Sequence, residues 1–165
     1  MKIAVMDRAK KKKFVAGLTD LGMKKIPQML VKSGQERVRA FTGDMDKDEL
    51  YDFWRLLPIE GVGLYVGKDM LNRNGVHEMR LSVDGMHVWK EQLTERVLEL
   101  TPEQEEVWFK GVNVELTEEQ TGKISDGFVN VKSGEDLVGQ GKIGSEGKIL
   151  FGFLPKERRR KSQVL

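Results

Sequence analysis

The spacing of apolar residues along the chain predicts helices in two places in the first half. Within residues 7–22, apolar side chains recur at helical intervals before a glycine: Phe14, Leu18, Leu21 and Gly22. A second helix is predicted to begin at Asp46, because Glu49 lies three residues later and completes a capping box. Pro58 ends this helix. The i, i+3, i+4, i+7 pattern predicts a buried stripe of Leu50, Phe53, Trp54 and Leu57.

Short apolar runs bounded by turn residues predict two hairpins between and after these helices. Residues 28–32 and 36–41 flank a Ser-Gly pair and predict the first hairpin. Residues 59–67 and 77–83 predict the second, closed by the polar loop at 72–75.

The pattern changes near residue 94. Residues 96–100 predict a short strand, and Thr101 followed by Gln104 predicts a helix start that Gly111 terminates. From Gly127 onward, glycines separate short strands in the manner of a small β-barrel. We therefore predict an α+β fold with a domain boundary near residue 93.

The composition of the chain and its apolar runs exclude several kinds of site and of membrane segment. The chain of 165 residues has no cysteine, which excludes disulfides, thiol catalysis and thiolate metal sites. No apolar run approaches the roughly 20 residues that a membrane helix needs. Residues 14–18 follow lysines as in a signal peptide, but Asp20 interrupts the apolar stretch. We predict a cytoplasmic protein.

Charge is unevenly distributed along the chain. Residues 1–40 carry eleven basic and three acidic side chains, a net charge of +8, and residues 141–165 carry a net charge of +5. The middle segment, residues 41–140, has a net charge of −11, so the whole chain is at +2. Two basic ends favour a polyanionic partner. The alternative is that the lysines at 10–13 merely solvate a helix face.

Some residues of the chain are of the kind found in nucleotide-binding or metal sites, but the sequence around them does not match such sites. Residues 139–144 read G-x-G-x-x-G, but a β-like run follows instead of the helix that a dinucleotide site requires. Residues 61–68 are similar to a phosphate-binding loop but lack its first glycine and its Ser/Thr. The two histidines, His77 and His87, have no ligand spacing for a metal. We predict that the protein is not an enzyme and has no cofactor.

The basic tail at residues 155–161 contains three consecutive arginines. The planar guanidinium group binds phosphate through paired, charge-assisted hydrogen bonds, and such a cluster displaces counterions from a nucleic acid. Two alternatives stay open: a frayed, solubilising terminus, or a tail that docks on the acidic middle segment.

Several segments resemble known RNA-binding families. Residues 129–142 resemble the end of a PUA domain, and residues 108–114 are similar to its helix-to-strand loop. Residues 147–159 are similar to the C-terminal PUA segment of Nop/Sun-type RNA 5-methylcytosine methyltransferases. The first half resembles the pre-PUA domain of the Nip-seven ribosome-biogenesis factors at residues 37–39, the helix through Trp54, residues 63–68 and residues 80–82.

The resemblance implies a mixed α/β pre-PUA domain at residues 1–92, followed by a small β-barrel PUA domain with a basic tail at 93–165. It implies no catalytic activity, and binding of structured RNA such as ribosomal or transfer RNA. When the RNA contacts of the PUA family are transferred to the matching positions of this sequence, the implied contacts are Lys110, Gly111, Asn113, Lys142, Lys148, Lys156, Arg158, Arg159 and Arg160.

Three hypotheses about function follow from the residues and the resemblance. The first is a non-catalytic RNA-binding protein in ribosomal RNA processing, ribosome biogenesis or RNA modification, including tRNA modification. The second is a specificity subunit that docks through its acidic middle segment on an RNA methyltransferase or pseudouridine synthase, with a pre-ribosomal protein as another possible partner. The third is a small enzyme with an unrecognised site.

Overall fold

A computed structural model describes residues 2–59, 61–144 and 146–161. It contains helices and two five-stranded sheets, so the predicted α+β fold class is confirmed. Within the described ranges, no helix has the length and apolar character needed to cross a membrane.

The chain divides into two compact units. The first runs to Thr19 and resumes over Met23–Gly85, and the second comprises Asp20–Gly22 and the chain from Met86 onward. Sequence analysis placed the change of domain near residue 93. In the structure the main segment of the second unit starts at Met86, within helix α3, Val83–Val88.

The first unit is built on an antiparallel sheet whose strands neighbour one another in chain order. The strands are β1 Ile3–Val5, β2 Met29–Ser33, β3 Arg37–Phe41, β4 Leu64–Leu71 and β5 His77–Leu81. Both predicted hairpins, β2–β3 and β4–β5, are confirmed. Strand β4 begins at Leu64 rather than Ile59, and Glu60 lies outside the described residues. The short strand β1 was not predicted.

The two long helices of this unit differ from the prediction, the first in its extent and the second in which side chains it buries. Helix α1 covers Arg8–Ala16, and the remainder of the predicted first helix is a turn followed by a 3-10 helix at Thr19–Leu21. Helix α2 covers Lys47–Leu56 and has the predicted capping box, in which Asp46 Oδ1 accepts from Glu49 N at 2.9 Å and Glu49 Oε2 accepts from Asp46 N at 2.8 Å.

The predicted buried stripe of α2 is wrong at two of its four positions. Leu50 is fully buried, but Phe53 and Leu57 are 42% and 50% exposed. The helix instead turns Tyr51 toward the sheet, where its hydroxyl oxygen accepts from Val5 N at 2.8 Å. Since β1 was not predicted, this partner for Tyr51 was missed.

The second unit is a five-stranded sheet curled into a half-barrel, with spatial order β6-β8-β9-β10-β7. Its strands are β6 Val97–Glu99, β7 Val114–Glu115, β8 Gly127–Ser133, β9 Asp136–Ile143 and β10 Ile149–Gly152. Strand β6 runs parallel to β8, and the other pairs are antiparallel. Helix α4, Pro102–Phe109, has the predicted capping box at Thr101, and a 3-10 helix covers Lys156–Arg158.

The concave face of this sheet is filled by apolar side chains around Trp108. The indole is 1% exposed and packs with residues such as Val129, Ile143 and Leu150. A Cβ at Gly152 would lie 3.1 Å from the indole ring, so glycine at this position lets Trp108 approach β10 closely. The core thus occupies one face of β8, β9 and β10, and their opposite face carries a different set of side chains.

Candidate nucleic-acid interface

The outer face of β8, β9 and β10 carries aromatic side chains on either side of a lysine. Lys142 of β9 lies opposite Phe128 of β8 and opposite Phe151 of β10. Residues directly opposite on neighbouring strands share a face of the sheet. Phe153 is two residues beyond Phe151, and its ring lies beside that of Phe128. We call Phe128, Lys142, Phe151 and Phe153 the aromatic row.

The aromatic row has the geometry of a partly exposed platform. Lys142 Nζ lies 5.1 Å from the centroid of the Phe128 ring, a cation–π contact. The rings of Phe128 and Phe153 are tilted by 50°, with centroids 6.0 Å apart. Phe151 and Phe153 are 41% and 36% exposed. These rings therefore offer apolar faces to the surroundings of the protein, although burial would be favourable.

Sequence reasoning missed the three phenylalanines of the row and found only its lysine. A signal for two of them was present, because Phe151 and Phe153 alternate with Leu150 and Leu154 in the pattern of a strand with two different faces. Leu150 and Leu154 are buried. The alternation does not reveal which face is covered, so the exposed face was not recognised.

The last arginine of the predicted tail cluster binds helix α4. Arg160 Nη2 lies 3.0 Å from Glu105 Oε1 and Nη1 lies 3.2 Å from Glu106 Oε1. Its guanidinium carbon lies 4.5 Å from the centroid of the Phe109 ring. The backbone N–H of Arg160 donates to Phe109 O at 2.7 Å. For Arg160, the contacts favour the alternative in which the tail docks on the acidic middle segment, because Glu105 and Glu106 belong to that segment.

Electrostatics at this contact favour an ionised carboxylate. Hydrogen bonds from the Ser133 hydroxyl and then from the Arg160 guanidinium lower the pKa of Glu105 below its ordinary value. Glu105 therefore stays charged at mildly acidic pH, and Arg160 keeps its partner there.

Arg159 also contacts its own unit, at the turn that follows α4. Its Nε donates to Leu154 O at 3.0 Å. A Cβ at Gly111 would lie 2.3 Å from Arg159 Nε, so the arginine occupies the space beside this glycine. Gly111 has a φ of +76°, and Lys110, the C-cap of α4, is exposed. Two residues that the resemblance implied as RNA contacts, Gly111 and Arg159, are thus brought together.

The remaining implied contacts are exposed side chains. Asn113 precedes β7, and Lys148 precedes β10 beside a surface pocket that also includes Glu115 and Glu118. Lys156 and Arg158 lie on the exposed 3-10 helix of the tail. Of the nine implied residues, Gly111 and Arg159 are thus in contact with each other, and Lys142 lies in the aromatic row.

No protein-family model matches the chain, and no curated protein sequence matches it either. Among the residues that the structure describes, no group of three or more His, Asp or Glu side chains is placed to hold a metal ion. The function must be argued from the site itself.

Proposed function

We propose that the protein binds RNA without altering it chemically, and that bases stack on the aromatic row. The observation that carries the proposal is the exposure of Phe151 and Phe153 on the outer face of the sheet, with Lys142 between Phe151 and Phe128. Unpaired bases stack on aromatic side chains, and sequence-specific RNA recognition mostly uses such unpaired segments.

The spacing of the row suits a strand of nucleotides. Phe128 and Phe151 are two strand spacings apart, about 10 Å, and Lys142 lies midway. A lysine at this place supplies a positive charge to a phosphate between two stacked bases. Lys156 follows Phe153 by three residues, which is at most about 11 Å of chain, so the basic tail begins close to the rings.

We infer a cytoplasmic role in ribosomal RNA processing, ribosome biogenesis or RNA modification, with structured ribosomal or transfer RNA as the partner. The resemblance of the two halves to pre-PUA and PUA domains supports this choice. The segregated charge supports it as well, because both basic ends favour a polyanion.

A matched pair of substitutions tests the platform. Phe151→Ala and Phe53→Ala remove the same side chain from two positions of nearly equal exposure, 41% and 42%, in different units. For an RNA hairpin with an unpaired loop, we expect Phe151→Ala to weaken binding by about 1–3 kcal/mol, the value of one stacked base. Phe53→Ala should leave the affinity unchanged. Fluorescence anisotropy of labelled RNA measures both.

Salt dependence separates stacking from charge. Phe151→Ala should not change the slope of log affinity against log salt, whereas Lys142→Gln should lower its magnitude by about 0.7. A DNA duplex of equal length should bind more weakly than the RNA hairpin. Equal affinities of wild type, Phe151→Ala and Phe53→Ala would refute the platform, and equal binding of RNA and duplex DNA would refute the choice of RNA.

A second candidate function, docking on an RNA-modifying enzyme, is favoured by the exposed side of α2. Leu56 is 81% exposed and lies one helical turn from the exposed Phe53, on a helix that also carries Asp48 and Asp52. Exposed apolar clusters with a polar rim mark protein interfaces. If the protein docks in this way, Leu56→Asp should abolish its association with an RNA methyltransferase or pseudouridine synthase, measured by co-elution, and leave RNA affinity unchanged.

A further inference from the structure

The sheet of the first unit carries a row of cations across three strands. Arg37 of β3 lies opposite Lys68 of β4, and Lys68 lies opposite Arg80 of β5. Two residues after Arg37, Arg39 lies opposite Tyr65. We call Arg37, Lys68 and Arg80 the basic row.

Such an arrangement is unfavourable for the folded protein by itself. Like charges directly opposite each other on neighbouring strands destabilise a sheet. Glu36 offsets part of the charge, since its Oε2 lies 3.7 Å from Lys68 Nζ. Glu78, two residues from Arg80 on the same strand, supplies a second negative charge, against the four positive charges of Arg37, Arg39, Lys68 and Arg80. The neighbouring carboxylate of Asp69 is engaged by Lys32 and His77. An excess of positive charge therefore remains along the row.

Tyr65 and Arg39 add hydrogen-bond donors beside the row. Burial raises the pKa of Tyr65, while the charges of Arg80, Arg37 and Arg39 act in the opposite direction. The phenol therefore stays protonated at neutral pH. Nη1 of Arg39 donates to Gly63 O at 3.0 Å, but its buried Nε has no hydrogen-bond partner within the described part of the chain.

We propose that the basic row, with Tyr65 and Arg39 beside it, binds the phosphate backbone of RNA. The inference rests on the proposed function and adds a contact surface in the first unit, which holds none of the RNA contacts implied by the sequence. The row extends over two strand spacings, about 10 Å, on a sheet face rather than in a closed pocket, and this suits successive phosphates of a strand. Arginine in particular binds phosphate oxygens through two parallel hydrogen bonds.

A charge-matched comparison tests the proposal. The variant Arg37→Gln/Lys68→Gln/Arg80→Gln removes two arginines and one lysine from the row. The control Lys47→Gln/Arg55→Gln/Arg73→Gln removes the same residue types from exposed positions elsewhere in the same unit. For binding of the RNA hairpin to the full chain, the row variant should lower the magnitude of the salt slope by about 2, which corresponds to about 100-fold at 0.1 M salt. The control should bind like wild type.

The outcomes separate this inference from the proposed function. If wild type binds RNA and the two triple variants bind it equally, the basic row is not a contact surface and the aromatic row is unaffected. If wild type binds no RNA, both proposals are overturned. Circular dichroism shows whether the row variant folds. Arg37→Gln alone, at an exposed position, provides a second test and should lower the slope by about 0.7.

Discussion

Replacing Asn130 with alanine should destabilise the second unit strongly, because its side chain joins two chain segments to strand β8. Asn130 is completely buried. Its Nδ2 donates to Leu21 O at 3.1 Å and to Glu95 O at 2.9 Å. Leu21 belongs to the short segment Asp20–Gly22, which is part of this unit. The side-chain amide of Asn130 thus binds both the segment Asp20–Gly22 and Glu95, which lies just before β6, on the outer face of the sheet.

The magnitude follows from what the substitution leaves behind. A typical intramolecular hydrogen bond contributes about 0.5–1.5 kcal/mol, and a buried group left without a partner costs about 1–3 kcal/mol. Two carbonyl groups lose the Asn130 amide at once, so we expect a loss of about 2–4 kcal/mol in the free energy of unfolding. Asn113→Ala is the matched control. Asn113 is exposed, and substitutions at such positions usually change stability by less than about 0.5 kcal/mol.

Urea unfolding followed by tryptophan fluorescence measures both variants. With an m-value of about 1–3 kcal/mol per molar urea, Asn130→Ala should lower the midpoint by about 1–2 M, and Asn113→Ala should leave it in place. Equal midpoints for the two variants would refute the reasoning. A lowered m-value in Asn130→Ala would also contradict the prediction, because it would show that the variant does not unfold from the intact second unit.

Two further predictions concern the docked tail. Because the pKa of Glu105 is lowered, its pairing with Arg160 stabilises the protein fully above the ordinary glutamate pKa, and this stabilisation is lost as pH falls through the lowered value. The urea midpoints of wild type and Arg160→Ala should therefore differ at neutral pH and converge in acid. A difference in midpoint that stays constant with pH would refute this pH dependence. Gly111→Ala should cost about 1–2 kcal/mol for its left-handed backbone alone and should also displace Arg159, so a thermal melt unchanged from wild type would contradict the contact.

The sequence alone determined the elements whose signals are local. The capping boxes at Asp46 and Thr101 join residues three apart, and both hairpins lie between neighbouring runs of the chain, so each could be predicted without knowledge of distant partners. The absence of cysteine likewise excluded whole classes of chemistry. Of the candidate interface, only Lys142 was named beforehand, and it was implied by the resemblance to PUA domains rather than by a local pattern.

Tertiary structure decided which faces are covered. The periodicity of α2 identified its apolar residues, but Leu50, Tyr51 and Trp54 are the ones that pack against the core of the first unit, and Phe53 is left exposed. In the second unit, Trp108 fills one face of the sheet, and the phenylalanines of the aromatic row are left on the other. The ion pair of Arg160 has the same kind of origin, since Glu105 lies 55 residues away along the chain. Burial and ion pairing depend on such distant partners, whereas helix caps and turns do not.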